Sequence, residues 1–393
     1  MTIHDDGENI GLIEPLLVPE EAGRRSKLND LALVLAEKSA AFSSSLPPAI
    51  AISLADLIRI VNCHYSNLIE GHDAHPRDVA RAILEDYSDD PEKRALQLEA
   101  RAHISVQKWI DDGGIDKGPF STQAIRDIHR RFYGLEPSQR LLMDTGSDGE
   151  KITMVPGALR SIDVRVGRHV AISPGAVPRF LARLEEGYGS GGRIDTILSA
   201  ACGHHRLLWV HPFPDGNGRI ARFVSHATLR SALRTSGLWS AARGLARREQ
   251  EYKKHLQSCD EACGGRRALA EGSLASFAEF FLETCIDQVD FMSDRMQPHN
   301  LRARVLTWAQ EEIRAGRLPP KSETVLTVML YRGELDRVEV PTLMAASDRS
   351  ARRLTAALID TGVVQSQTSR SPLQMAFPVG LATRFLPGLF PEH

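Results

Sequence analysis

The sequence predicts a mainly helical protein: apolar residues recur every three or four positions over most of the chain, one stretch alone is rich in β-branched residues, and a small mixed unit closes the C-terminus. With 393 residues, of which 42% are hydrophobic and 25% charged, the chain has apolar material for more than one core and none of the composition of a disordered polymer. A formal charge of -2 leaves no global positive field to attract nucleic acid or anionic lipid, so any such binding has to be local.

Taken in order, residues 1–48 read as an N-terminal extension ending at Pro47 and Pro48, which break any helix; Ser53, with Asp56 three positions on, offers the cap of the next one. Over 53–70 the residues Leu54, Leu57, Ile58, Val61, Tyr65, Leu68 and Ile69 share a face, and Ile194, Ile197, Leu198, Ala201, His205, Leu208 and Trp209 do the same further on. Both segments are expected to be amphipathic helices within a helical domain over 49–297. The stretch 152–175, with its Val and Ile residues and its Gly and Pro punctuation, reads as one short extended hairpin. A linker helix with the stiff "RLPPKS" covers 298–320. Residues 321–393 place helical segments at 322–331, 339–346 and 347–361 before a strand-like run, an order that resembles a winged helix-turn-helix.

Five scattered cysteines and the lack of a basic, apolar leader point to a reduced, cytoplasmic protein, and no stretch reaches membrane-spanning length. Cys259 and Cys263, four apart, have no second pair to complete a metal site and read as buried thiols.

The chemistry lies in "HPFPDGNGRIAR", residues 211–222, between two helices. Gly216, Asn217 and Gly218 let the backbone bend so that several N–H groups converge on one anion at a helix N-terminus, a setting that suits phosphate. Arg219 and Arg222, three apart on the first turns, point the same way and offer forked donors to further phosphate oxygens. Asp215 is a hard carboxylate for magnesium, and His211 takes a proton near neutral pH. A zinc site built from His204, His205 and His211 is the rival reading, but adjacent histidines on a helix point about 100° apart and no carboxylate at helical spacing joins them.

This stretch resembles the signature of the Fic family, His-x-Phe-x-acid-Gly-Asn-Gly-Arg-x-x-Arg, at every defined position: His211, Phe213, Asp215, Gly216, Asn217, Gly218, Arg219 and Arg222. The resemblance covers roughly residues 45–290 and implies the helical Fic fold. It implies magnesium-dependent transfer of AMP from ATP to a Ser, Thr or Tyr hydroxyl. In that scheme His211 is the base, Asp215 the metal ligand, Arg222 the partner of the γ-phosphate, and the loop from Phe213 to Arg219 the nucleotide-binding segment, with Phe213 as its anchor in the core. Gly218 stands where the related Doc-type kinases carry Lys, which makes a kinase the weaker alternative. His204 is taken as structural.

Two further segments extend the resemblance. "SNLIEG", with Ser66 and Glu70 four apart and Gly71 placed to end the helix, resembles the family's inhibitory motif on the N-terminal side of the catalytic one. A Glu70 carboxylate paired with Arg222 would occupy the donor that must hold the γ-phosphate. The hairpin of residues 155–174 sits where the family carries its flap, which docks a target segment by strand addition. Tyr252 or Arg247 is expected near the nucleotide base.

The alternatives belong to other classes. One is a nucleotide-sensing transcriptional regulator, in which Arg349, Arg352 and Arg353 would meet DNA, although eight Lys and Arg against seven Asp and Glu over 321–393 make a weak field. The same unit suits docking of protein targets or a homodimer. Another is removal of AMP, with Glu70 orienting water. Self-modification is expected of an enzyme with a flap and no evident partner.

Overall fold

Proline opens helix after helix in this chain. At the first position of a helix its missing N–H costs nothing and its fixed φ is already helical. The computed structural model describes residues 3–134, 141–144, 151–233, 235–262 and 267–391. After α1 (Arg25–Ser44), helices α2 (Pro48–Ile69), α3 (Pro76–Ile83) and α4 (Pro91–Asp111) all begin on proline. Pro48 therefore starts the helix it was expected to precede. Ser53 is no cap: it lies in the second turn of α2 with its hydroxyl donating to the Met375 carbonyl at 2.5 Å.

Helix α5 (Thr122–Tyr133) leads into two small antiparallel hairpins, β1 (Leu142–Asp144) with β2 (Lys151–Thr153), and β3 (Arg165–Val166) with β4 (His169–Val170). The single hairpin expected over 152–175 is thus divided. Ile152 and Thr153 pair back to Met143 and Leu142, and only the segment around Gly167 makes the second hairpin. Pro156 and Gly157, the latter at φ +82°, break the run between them.

Then follow α6 (Val177–Tyr188), α7 (Arg193–Val210), α8 (Asn217–Leu233), α9 (Ala241–Arg247), α10 (Glu249–Ala262), α11 (Arg267–Arg295) and α12 (Pro298–Arg314). Helices α7 and α8 pack along each other at the centre, with α1, α10 and α11 on one side and α4, α5 and α6 on the other. Two apolar clusters meet along this pair. The larger gathers α1, α2, α11 and the C-terminal unit; the smaller gathers α5, α6, Leu207, Trp209, Val210 and Phe213 with Ile220 to Ala227. The loop between α7 and α8 is seated on the smaller one. Residues 1–48 are integral to this body where described, since Leu28, Leu35 and Phe42 of α1 are buried and Leu16 packs with α6.

The C-terminal unit runs α13 (Ser322–Arg332), β5 (Glu334–Leu335), α14 (Val340–Met344), α15 (Asp348–Asp360), β6 (Val364–Gln365), β7 (Leu373–Met375) and α16 (Val379–Phe385), with the strands antiparallel in the order β5-β7-β6. It lies directly on α2. Tyr65 donates its hydroxyl to the Leu389 carbonyl at 3.0 Å, and the His64 ring meets Phe390. For this reason the second half of α2 is not amphipathic as expected: every residue from Ile60 to Asn67 is buried, because two layers cover it, whereas the first half keeps Ile52 and Asp56 exposed opposite the buried Leu54, Leu57 and Ile58. Cys63, Cys202, Cys259 and Cys285 are buried, and Cys263 lies outside the described residues. Among the described residues no single helix is long and apolar enough to cross a membrane.

Candidate active site

Helix α7 ends because His211 turns left-handed, at φ 52° and ψ 61°, with its N–H still reaching the Leu207 carbonyl. Chain direction then reverses through residues 212–216. Phe213 is fully buried and stacks on His129 at 3.9 Å between ring centres, so it anchors the loop from below and has no surface to offer a nucleotide. Asn217 closes the turn. Its amide donates to the Phe213 carbonyl at 2.9 Å and accepts from the Phe213 N–H at 3.0 Å, so this side chain gives the loop its shape. Gly216 has φ +80°, and a Cβ there would stand 2.6 Å from the Tyr133 hydroxyl.

The two arginines diverge. Residues three apart on a helix are offset by about 60°, and each guanidinium goes to its nearest acceptors. Arg219 donates to Glu99 at 2.7 Å, to the Tyr133 hydroxyl at 2.8 Å and to Asp215 at 3.2 Å. Arg222 turns the other way, donating from Nε to the Ser66 hydroxyl at 2.8 Å and from Nη2 to the Ser66 carbonyl at 3.0 Å and to Glu70 Oε1 at 2.5 Å. The expectation that both face one anion is therefore corrected: of these two arginines, Arg222 lines the cleft and Arg219 does not.

Helix α2 delivers those acceptors with its C-terminus, the negative end of its dipole. Gly71, at φ +83°, ends the helix, and the Gly71 and His72 N–H groups bond back to Leu68 and Asn67. Glu70 thereby lies against Gly218, where a Cβ would come within 2.3 Å of its carboxylate. Burial alone would raise the Glu70 carboxyl, but the Arg222 charge and hydrogen bond outweigh it and hold it below its usual value, so the group is ionised at neutral pH.

The cleft has a volume of about 860 Å³. Glu70, His211, Gly218, Arg222, Tyr252 and the tip of the β3–β4 hairpin line it. Burial, reinforced by the Arg160 charge, brings the His211 imidazole down to about 4, so it is neutral and able to accept a proton at pH 7. Asp215 keeps about half of its side-chain surface exposed (51%). Burial pushes its carboxyl up, yet Arg219 and the Tyr133 hydroxyl hold it below the usual range. One open carboxylate is what magnesium takes from a protein when phosphate oxygens and water fill its other positions, so the donor set fits that ion; among the described residues no cluster of three ligating side chains exists. His204 and His205 do not converge with His211: His204 bonds Ser225 and Tyr252, and His205 bonds Asp260. Arg247, expected near a base, is not among the residues that line the cleft, whereas Tyr252 does stand in its wall.

Sequence reasoning overlooked Arg160. Its side chain is buried and donates to the carbonyls of His211 (2.7 Å), Ile162 (2.9 Å) and Ile172 (2.5 Å), tying the hairpin segment to the residue that carries the imidazole. A charged residue amid the apolar "GALRSIDV" was the available signal. Glu99, which fixes Arg219 from α4, had none, because nothing in the pattern brings α4 to α8.

A loop of buried aromatic anchor, glycine turn, acid and arginine, closing a helix pair beside a small hairpin, is the site of the Fic fold. Residues 119–229 match the model of the Fic/DOC family, so this part of the chain is a Fic/DOC domain. It is similar to the protein adenylyltransferase Fic of Nematostella vectensis, with 29% identity over 194 residues, 48% of this chain and 41% of that one. It is also similar to that of Drosophila grimshawi, with 28% identity over 130 residues, 32% of this chain and 24% of that one. The match thus spans less than half the length of either relative. A crystal structure of a Fic family protein from Desulfovibrio desulfuricans G20 shares the fold at a TM-score of 0.53 and 15% identity, over 92% of this chain and 98% of that one.

Replacing Arg160 by Met keeps the stem and removes the donors. Three carbonyls then lose a charged partner, each such bond being worth roughly 1.5–3 kcal/mol. Amide exchange over residues 160–172 is expected to rise at least tenfold, and the His211 imidazole to lose its fixed position, seen as broadened ring resonances; unchanged exchange would show that the hairpin is held by other contacts.

Proposed function

We propose that the protein is an adenylyltransferase that moves AMP from ATP to a hydroxyl of a protein, and that α2 holds it back. The observation that carries this reading is the Glu70 carboxylate seated between Gly218 and Arg222, in the same cleft as His211. An anion already occupies the place where the family's chemistry needs a terminal phosphate. The names of the relatives supply the adenylyl group as the transferred species.

In this reading the target hydroxyl loses its proton to the neutral His211 imidazole as its oxygen bonds to the α-phosphorus. The bond from that phosphorus to the bridging oxygen breaks, and pyrophosphate leaves with the electron pair. Magnesium bound through Asp215 would neutralise the phosphates. The N-terminus of α8 offers its N–H groups and dipole to the same charge, and Arg222 grips the terminal phosphate once Glu70 withdraws. The target strand is proposed to add along the β3–β4 hairpin, whose Val166 and Val170 are 49% and 66% exposed. Self-modification and a homodimer are compatible with this arrangement.

For the C-terminal unit we favour docking of a protein over DNA. Arg349, Arg352 and Arg353 are exposed on α15, but the surrounding charge is nearly balanced. A salt-dependent shift with duplex DNA, lost on Arg352→Ala with Arg353→Ala, would reverse that order.

With α-labelled ATP and magnesium, wild type is expected to label faintly, Glu70→Gly strongly and Glu70→Gly with His211→Ala not at all. If Glu70→Gly binds ATP yet transfers nothing, removal of AMP or nucleotide sensing becomes the better reading.

The rate of Glu70→Gly should stay flat from pH 8 to about 5 and fall only as the pH drops toward the His211 value of about 4, because the base is lost when it is protonated. A half-loss near 6.5, the ordinary histidine value, would mean that His211 is solvated in the working enzyme.

A further inference from the structure

Tyr252 of α10 is 2% exposed, yet it forms part of the cleft wall beside Arg222. The protons behind it can be placed one by one. The Ser225 hydroxyl donates to the Ala200 carbonyl at 2.9 Å, since a carbonyl only accepts, and a serine has one proton to give. Its second contact, with His204 Nδ1 at 2.9 Å, must therefore be donated by the imidazole. That ring is fully buried and neutral, burial having brought its pKa down to about 3, so it carries a single N–H. With the proton on Nδ1, Nε2 is bare. It accepts, at 2.7 Å, the only proton of the Tyr252 hydroxyl.

What remains of that hydroxyl can only accept. Arg222 lines the cleft with it, and the guanidinium charge acts on that hydroxyl along with the Glu70 carboxylate. We infer that the buried chain from Ala200 through Ser225 and His204 holds the Tyr252 hydroxyl as a fixed acceptor for Arg222, making Tyr252 and His204 positioning residues of the anion site. With Glu70 in place, Arg222 has acceptors enough. When Glu70 withdraws, a nearly buried guanidinium loses its carboxylate, and a buried donor without an acceptor is costly. Tyr252 does not travel with α2, because it belongs to α10, so it keeps the guanidinium aimed over Gly218. His204, taken as merely structural from sequence, sets the direction of that hydrogen bond. This inference deepens the proposed function and rests on it for the identity of the anion.

Two measurements test it. In protein labelled with nitrogen-15 at histidine, His204 is expected to show a protonated Nδ1 and a bare Nε2, unchanged from pH 8 to 5; the opposite tautomer, or a titration near 6.5, overturns the inference. In the Glu70→Gly background with magnesium, Tyr252→Phe is expected to weaken ATP binding about tenfold, the scale of one hydrogen bond to a charged group. ADP, which lacks the phosphate gripped by Arg222, should change less than twofold. His204→Phe should reproduce that loss, and combining the two should add nothing further. Equal weakening of ATP and ADP would mean that Tyr252 only packs the wall, and unchanged ATP binding would mean that Arg222 needs no such acceptor; either result overturns the inference. Should Glu70→Gly fail to bind ATP at all, the adenylyltransferase reading falls, and the histidine spectrum alone decides the hydrogen-bond assignment.

Discussion

Burying a guanidinium obliges a protein to surround it with acceptors, and for Arg222 a single helix end, 152 to 156 residues away in sequence, meets that demand. Ser66 gives a hydroxyl and a carbonyl, and Glu70 a carboxylate, all from one helix end. Because Arg222 lies on the second turn of α8, its place is set by the loop that starts this helix, which in turn stands on Phe213 and the Asn217 clasp. Core packing, loop geometry and the ion pair are thus one chain of dependence.

Arg219 plays the opposite part with the same chemistry. Its donors are spent on Glu99, Tyr133 and Asp215, so it steadies the acid and lowers that carboxyl without facing the cleft. Two arginines one turn apart are thereby divided between holding the loop in shape and holding an anion.

The sequence singles out the cleft residues His211, Gly218, Arg222 and Glu70. The twelve residues 211–222 stand out because glycine, acid, base and arginine seldom meet by chance, and Glu70 stands out because a helix stop follows it directly. Helices with clear periodicity were foreseen along with the mainly helical class. What could not be read depends on contacts between distant segments. The clasp of Asn217 on the Phe213 backbone has no mark in the sequence, and the direction of Arg219 depends on Glu99 of another helix. Nor does periodicity tell how many layers will cover a helix, so α2 read as amphipathic although the C-terminal unit closes its outer side.

That double covering ties two equilibria to one rod. The end of α2 holds Arg222, while its flank receives the chain end through Tyr65 and His64 and the small sheet through Ser53. Sites this far apart couple only through a partner they share, and α2 is the partner common to both. Seventeen residues of helix, about 25 Å, separate Ser53 from Glu70, so a shift of α2 along its own axis displaces the contacts at both ends together.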